Sequence, residues 1–197
     1  MLRSGLLATA ALLVGCALSN VSAQTAEPAK TQPDVPAQYA ATAIGQSGPA
    51  AGRSFDLTVY VEQLTSDGDT EELVSTLKHK GQAGLLSAFE NINDKGRLAP
   101  TGSVGIGMRF IRIHPTENGG QHIVLVTNRP ISFGELYNGA RSQDYPFGIV
   151  VMDVGKDGKG TGTFSPACKV KFNKKGELEI ERYSQKPFRL ANVYRQK

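Results

Sequence analysis

Two cysteines, Cys16 and Cys168, are all that this 197-residue chain contains. If Cys16 sits in a leader, Cys168 stands alone in the folded part, and one cysteine makes no internal disulfide. Stability must then come from an ordinary hydrophobic core. The apolar stretch from Gly5 to Leu18 is too short for a membrane-spanning helix, which needs ~20 such residues. Neither G-x-S-x-G nor H-E-x-x-H occurs, so two common hydrolase signatures are missing. There are three histidines, His79, His114 and His122. A stable metal site wants three or four ligands, so no metal and no cofactor is predicted. No internal repeat is evident.

What is present begins with residues 1–23. Met1 to Arg3 gives a positive start, Gly5 to Leu18 an apolar run, and Val21-Ser-Ala23 a small-residue end before Gln24. That is the build of a secretory signal peptide. The expected localisation is therefore exported, periplasmic or secreted. Leu13-Val-Gly-Cys16 also resembles a lipobox, where the cysteine becomes a lipidated N-terminus. Cleavage after Ala23 and anchoring through Cys16 both stay open, and a membrane role is expected only with lipidation. Residues 24–38 hold three prolines and no period. They read as a disordered lead or tether, with a single β-rich domain over 39–197.

Within that domain, Phe55, Leu57, Val59 and Val61 alternate with polar residues, the period of a half-buried strand. Asp69 with Glu72 fits a capping box. Leu73, Val74 and Leu77 then fall on one helical face, continued by Leu85, Leu86, Phe89 and Ile92 and interrupted by Gly81 and Gly84. Two short helices or one broken helix are predicted over 70–92. Val104, Ile106, Met108 and Phe110 restart a period of two, and the shift to Ile111 and Ile113 suggests a bulge. His122 to Asn128 and Phe147 to Val154 read as central strands because both faces are apolar. Phe164, Pro166, Cys168, Val170 and Phe172 share one face by period, with Pro166 pointing to an edge or bulge. Asn173 to Gly176 is a four-residue hairpin loop. About eight antiparallel strands are predicted, as a curled sheet or barrel with a short helical pair.

The chain carries 22 Lys+Arg against 18 Asp+Glu. From Lys169 to Lys197 there are nine basic residues and three glutamates. An anionic envelope surface is a possible partner of that segment, and solvated edge-strand charge is the plainer reading. An exported protein has little occasion to meet nucleic acid, so none is expected. Cys168 falls on an apolar face, which predicts a buried, inert thiol. Gly155 to Gly162 lacks the ending of a phosphate loop and joins two strands. The Asp153–Asp157 spacing lacks the remaining calcium ligands. His114 and His122 flank a hairpin loop and should face each other.

The segment from Arg129 to Phe147 is long for a loop in a single domain, and such loops often carry function. Arg129, Tyr137, Arg141, Asp144 and Tyr145 combine guanidinium, carboxylate and aromatic groups, which suits recognition of a polar ligand or a protein partner. The plainer alternative is an internal Arg141–Asp144 pair. Together with Gly162-Thr-Phe-Ser-Pro-Ala-Cys168 and the closing strands, this segment resembles an uncharacterised family of exported bacterial proteins. The resemblance runs from about Tyr39 to Tyr194. It implies no activity and supports treating that stretch as one unit. The expectation is an exported, non-enzymatic protein that binds a ligand or partner, with no catalytic residues assigned. Two rivals are an enzyme whose groups converge only in the fold (Asp144 with Glu135 or His122) and a structural lipoprotein held through Cys16. A filled barrel centre would favour a structural role, and a charged concave pocket the enzyme.

Overall fold

Alternation in Ala37–Ile44 (β1) and Ser54–Val61 (β2) places Tyr39, Leu57, Val59 and Val61 on one buried side. The two strands pair antiparallel along their full length. This computed structural model describes residues 34–131, 144–173, 176, 178–183 and 186–196, within a compact unit spanning Thr31–Lys197. Helix α1 (Asp67–Glu90) follows β2. Then come β3 (Gly96–Pro100), β4 (Ile106–Met108), β5 (Phe110–Pro115), β6 (Gln121–Thr127), β7 (Phe147–Val154), β8 (Lys159–Phe172), β9 (Leu178–Arg182) and β10 (Phe188–Gln196).

All pairings are antiparallel, in the order β4-β3-β2-β1-β10-β8-β7-β6-β5, with β9 added to β8. The two ends of that order, β4 and β5, are neighbours in sequence. The chain leaves β3 after Met108 and joins β6 at Arg109, whose N–H donates to the Val126 carbonyl at 2.9 Å. The sheet is therefore a nearly closed barrel. Arg109 braces the crossing: its guanidinium meets Asp94 at 2.9 Å and donates to the Ile92 carbonyl.

Two apolar cores result. The barrel centre is filled by inward side chains from nine strands, among them Tyr39, Leu98, Met108, Ile111, Ile123, Leu125, Met152, Phe164 and Leu190. Among the described residues it is a packed core of inward side chains rather than a channel. The second core lies outside the barrel. Leu73, Leu77, Leu85 and Phe89 of α1 cover Phe147, Ile149, Cys168 and Val170 of β7 and β8. Each such side chain contributes roughly 1.5–3 kcal/mol on burial. Strand β7 is apolar on both faces because Val150 and Met152 serve the first core while Phe147 and Ile149 serve the second.

Several expectations are corrected. The described residues form ten strands, in line with the curled antiparallel sheet of about eight that was read, but β1 begins at Ala37, inside the expected lead. The helix N-cap is Ser66, whose Oγ accepts the Asp69 N–H at 3.0 Å. Asp69 instead sits in the first turn, where its charge suits the helix dipole. As expected, the helix is one broken element, interrupted at Gly81 (φ 65°, ψ −164°), a conformation that needs glycine. Val104 lies outside the strands and is 84% exposed. The predicted single face of β8 does not persist. Phe147 pairs with Cys168 but Ile149 pairs with Ser165, so an extra residue bulges β8 at Pro166–Ala167. The bulge flips the phase, sending Phe164 into the barrel and Cys168 under the helix.

Cys168 is fully buried, and burial pushes its thiol up to about 11. Almost no thiolate exists at pH 8. The native protein should therefore leave this thiol unmodified by an aromatic disulfide reagent for as long as it stays folded. Urea should expose it to complete reaction within minutes. Fast labelling of the folded protein would contradict the burial.

Candidate functional site

The long segment singled out by the sequence is held to β8 at its start and to α1 at its end. At its start, buried Ile131 donates its N–H to the Pro166 carbonyl at 2.8 Å, inside the β8 bulge. Arg129, just before it, is exposed. At its end, the Asp144 carbonyl accepts from Gln82 Nε2 at 3.0 Å. Tyr137, Arg141 and Glu135 lie outside the described residues, as does the expected Arg141–Asp144 pair.

Tyr145 docks on the β8–β9 ribbon. Its hydroxyl donates to Glu181 Oε1 at 2.7 Å, and its ring meets Tyr183 edge-on at 5.0 Å. Lys169 Nζ stands 4.4 Å from the ring centroid, a cation–π geometry. Lys171 Nζ bonds Glu181 Oε2 at 3.0 Å and lies 3.9 Å from Glu179. The ribbon register, with Lys169 opposite Glu181 and Lys171 opposite Glu179, sets up these contacts. Accepting from Tyr145 and then from Lys171 holds the Glu181 carboxyl below its ordinary range. The same hydrogen bond raises Tyr145, and Glu181 likewise raises Lys171.

Beside this cluster a cleft of about 400 Å³ opens between the helix break and β8. Its described lining includes Lys78, Gln82, Asp144, Lys169, Lys171 and Phe172, with Gly81 at the point where the helix turns away. Two lysines are thus shared between the cleft and the Tyr145 cluster. Lys78 has no ion-pair partner among the described residues. A larger groove, about 610 Å³, lies at the barrel end beside β1 and β10. Its cation, Arg195, is already bonded to Asp34 at 3.3 Å, and the groove is not lined by the long segment.

Sequence reasoning found Asp144 and Tyr145 but missed Lys78, Gln82, Lys169, Lys171, Glu181 and Tyr183 as parts of the site. The Lys/Glu alternation on either side of the 173–176 loop was the available signal. Among the described residues, three of the nine basic residues of the C-terminal segment are engaged within the fold through side-chain bonds: Lys171 with Glu179 and Glu181, Arg182 with Ser165 Oγ at 3.0 Å, and Arg195 with Asp34.

The histidines do face each other, since His114 pairs with His122 across β5 and β6. His122 Nδ1 donates to Asp153 Oδ1 at 2.6 Å on the neighbouring strand. Asp153 sits near the far end of β7, six residues or ~20 Å from Phe147 at ~3.3 Å per residue, and Asp144 precedes Phe147. The His122–Asp144 pairing therefore does not form. Among the described residues no three His, Cys, Asp or Glu side chains group as a metal site. No protein-family model, curated protein or solved structure matches the chain.

Proposed function

We propose that this is an exported, non-enzymatic binding protein that recognises its ligand or partner on the outside of the barrel, in the cleft between the helix break and β8. The observation that carries the reading is the contrast between a filled barrel centre and an open, lysine-lined cleft at the end of the long segment. Open concave surface with convergent polar groups is where recognition is expected. Tyr145, bonded to Glu181 and packed on Tyr183 and Lys169, holds the neighbouring lining residues Asp144 and Lys169 in place, which lowers the ordering cost of binding.

Two measurements test it. Mass spectrometry of the native protein should find Gln24 at the N-terminus. A diacylglyceryl-modified Cys16 would replace the free form by an anchored one, and an intact Met1 would contradict export. For the site, thiol footprinting can use Lys78→Cys and Val104→Cys, because Cys168 gives no background. Lys78→Cys should label several-fold more slowly in producing cells than after purification, while Val104→Cys labels equally in both. Equal labelling of Lys78→Cys in cells and in the purified state would count against an occupied cleft.

A further inference from the structure

The cleft runs along a strand edge that is left open. The last residue of β8 to pair with β7 is Cys168, opposite Phe147. Beyond it, Lys169–Phe172 has β9 on one side and no strand on the other among the described residues. Val170 donates its N–H away from β9, to Gln82 Oε1 at 3.3 Å. In an antiparallel strand the N–H and C=O of one residue point the same way, and alternate residues repeat that direction. The Val170 carbonyl and both backbone groups of Phe172 therefore face the cleft. The Gln82 amide accepts from Val170 and donates to the Asp144 carbonyl, as a strand backbone would. The helix break at Gly81 gives this edge its room. By contrast, β9 carries Glu179, Glu181 and Arg182, the charges that blunt an edge.

Resting on the cleft reading above, we infer that the ligand is an extended acidic peptide segment that adds as a strand to the edge of β8 at Val170–Phe172, taking the place of the Gln82 amide at the Val170 N–H. Main-chain hydrogen bonds would supply affinity, and side-chain pockets specificity. Charge selects the partner. Lys78, Lys169 and Lys171 line the cleft; Lys171 already pairs with Glu181 and Glu179, which leaves Lys78 and Lys169 as the cations facing a ligand beside Asp144 among its described residues. Acidic side chains on every second residue of the peptide would face these ammonium groups, with apolar ones turned toward Leu77 and Phe172.

The test uses the mature full chain and three synthetic peptides: an alternating glutamate–valine peptide, the same peptide N-methylated at alternate residues, and its lysine–valine counterpart. Binding is read by amide exchange and chemical shift. In the free protein the Phe172 amide should exchange rapidly. The acidic peptide should protect Val170 and Phe172. N-methylation removes up to two backbone bonds, those to the Val170 and Phe172 carbonyls, and should weaken binding about tenfold or more. Lys78→Glu should weaken it about fivefold, the size of a rim charge effect. A Phe172 amide already protected in the free protein would mean that the chain itself covers the edge, and would overturn the inference. Equal affinity of parent and N-methylated peptides, still mapping to the cleft, would overturn strand addition while leaving the cleft reading intact. Equal binding of the lysine peptide would overturn the acidic preference. Shifts confined to other parts of the barrel would overturn both readings.

Discussion

Gly160→Val should leave no folded barrel. Gly160 lies on β8 between Val154 of β7 and Val193 of β10. A Cβ there would come within 1.9 Å of the Asp153 carbonyl oxygen. The obstacle is backbone in a hydrogen-bonded central strand, so no side chain can rotate to relieve it. Overpacking in a core commonly costs about 1–3 kcal/mol, but a clash with fixed backbone belongs among the rare losses above ~4–5 kcal/mol. That is most of the ~5–15 kcal/mol available to a domain. Circular dichroism and soluble yield should both show the loss. Thr161→Val, one residue on and exposed, should stay within about 0.5 kcal/mol of wild type. Wild-type-like melting of Gly160→Val would mean that β8 does not make this close approach.

Phe147→Ala should cost about 3–5 kcal/mol, as expected for a buried phenylalanine. Phe147 is fully buried under α1 and meets Phe89 edge-on at 5.8 Å. The pair is the centre of the outer core, and aromatic pairs add ~0.5–1.5 kcal/mol beyond burial. Because the barrel centre is a separate cluster, the loss should be felt first as undocking of the helix. Urea unfolding followed at helix and strand signals should lose its single transition, with the helix signal leading. A shift under about 1 kcal/mol would show that α1 is held by other contacts. The cleft lies between α1 and β8, so this variant should also lose binding there, whereas substitutions within the barrel centre should affect binding only through stability.

The strands with strong alternation were readable from sequence because burial repeats every second residue. Residues 37–44, 57–61 and 121–127 obey that rule, and 147–154 was readable instead as a continuous apolar run buried on both faces. Strand β3 was not readable. Gly96–Pro100 has two core residues, Leu98 and Ala99, and its strand character comes from pairing with β2 and β4. Val104 continues an apolar period into a loop, since period alone does not say where a partner strand ends. Pro166 announced a bulge, but which core each side of it serves depends on the helix docking outside the barrel. The same limit applies to the site. The Lys169–Glu181 and Lys171–Glu179 pairs follow from hairpin register and were within reach of the sequence. Gln82 reaches Val170 across 88 positions, and Tyr145 reaches Glu181 across 36. Contacts of that separation exist only once the helix and the ribbon are in place.

The barrel's packed centre makes the outer cleft the decisive surface. The most direct test is to place a photo-crosslinking phenylalanine analogue at Lys78, at Lys171 and, as a control, at Val104, and to irradiate the producing cells. The account predicts one discrete adduct shared by the Lys78 and Lys171 positions, mapping on the partner to an acidic segment, and none at Val104. Adducts at Val104 with none at Lys78 and Lys171 would place recognition elsewhere on the barrel and contradict the account.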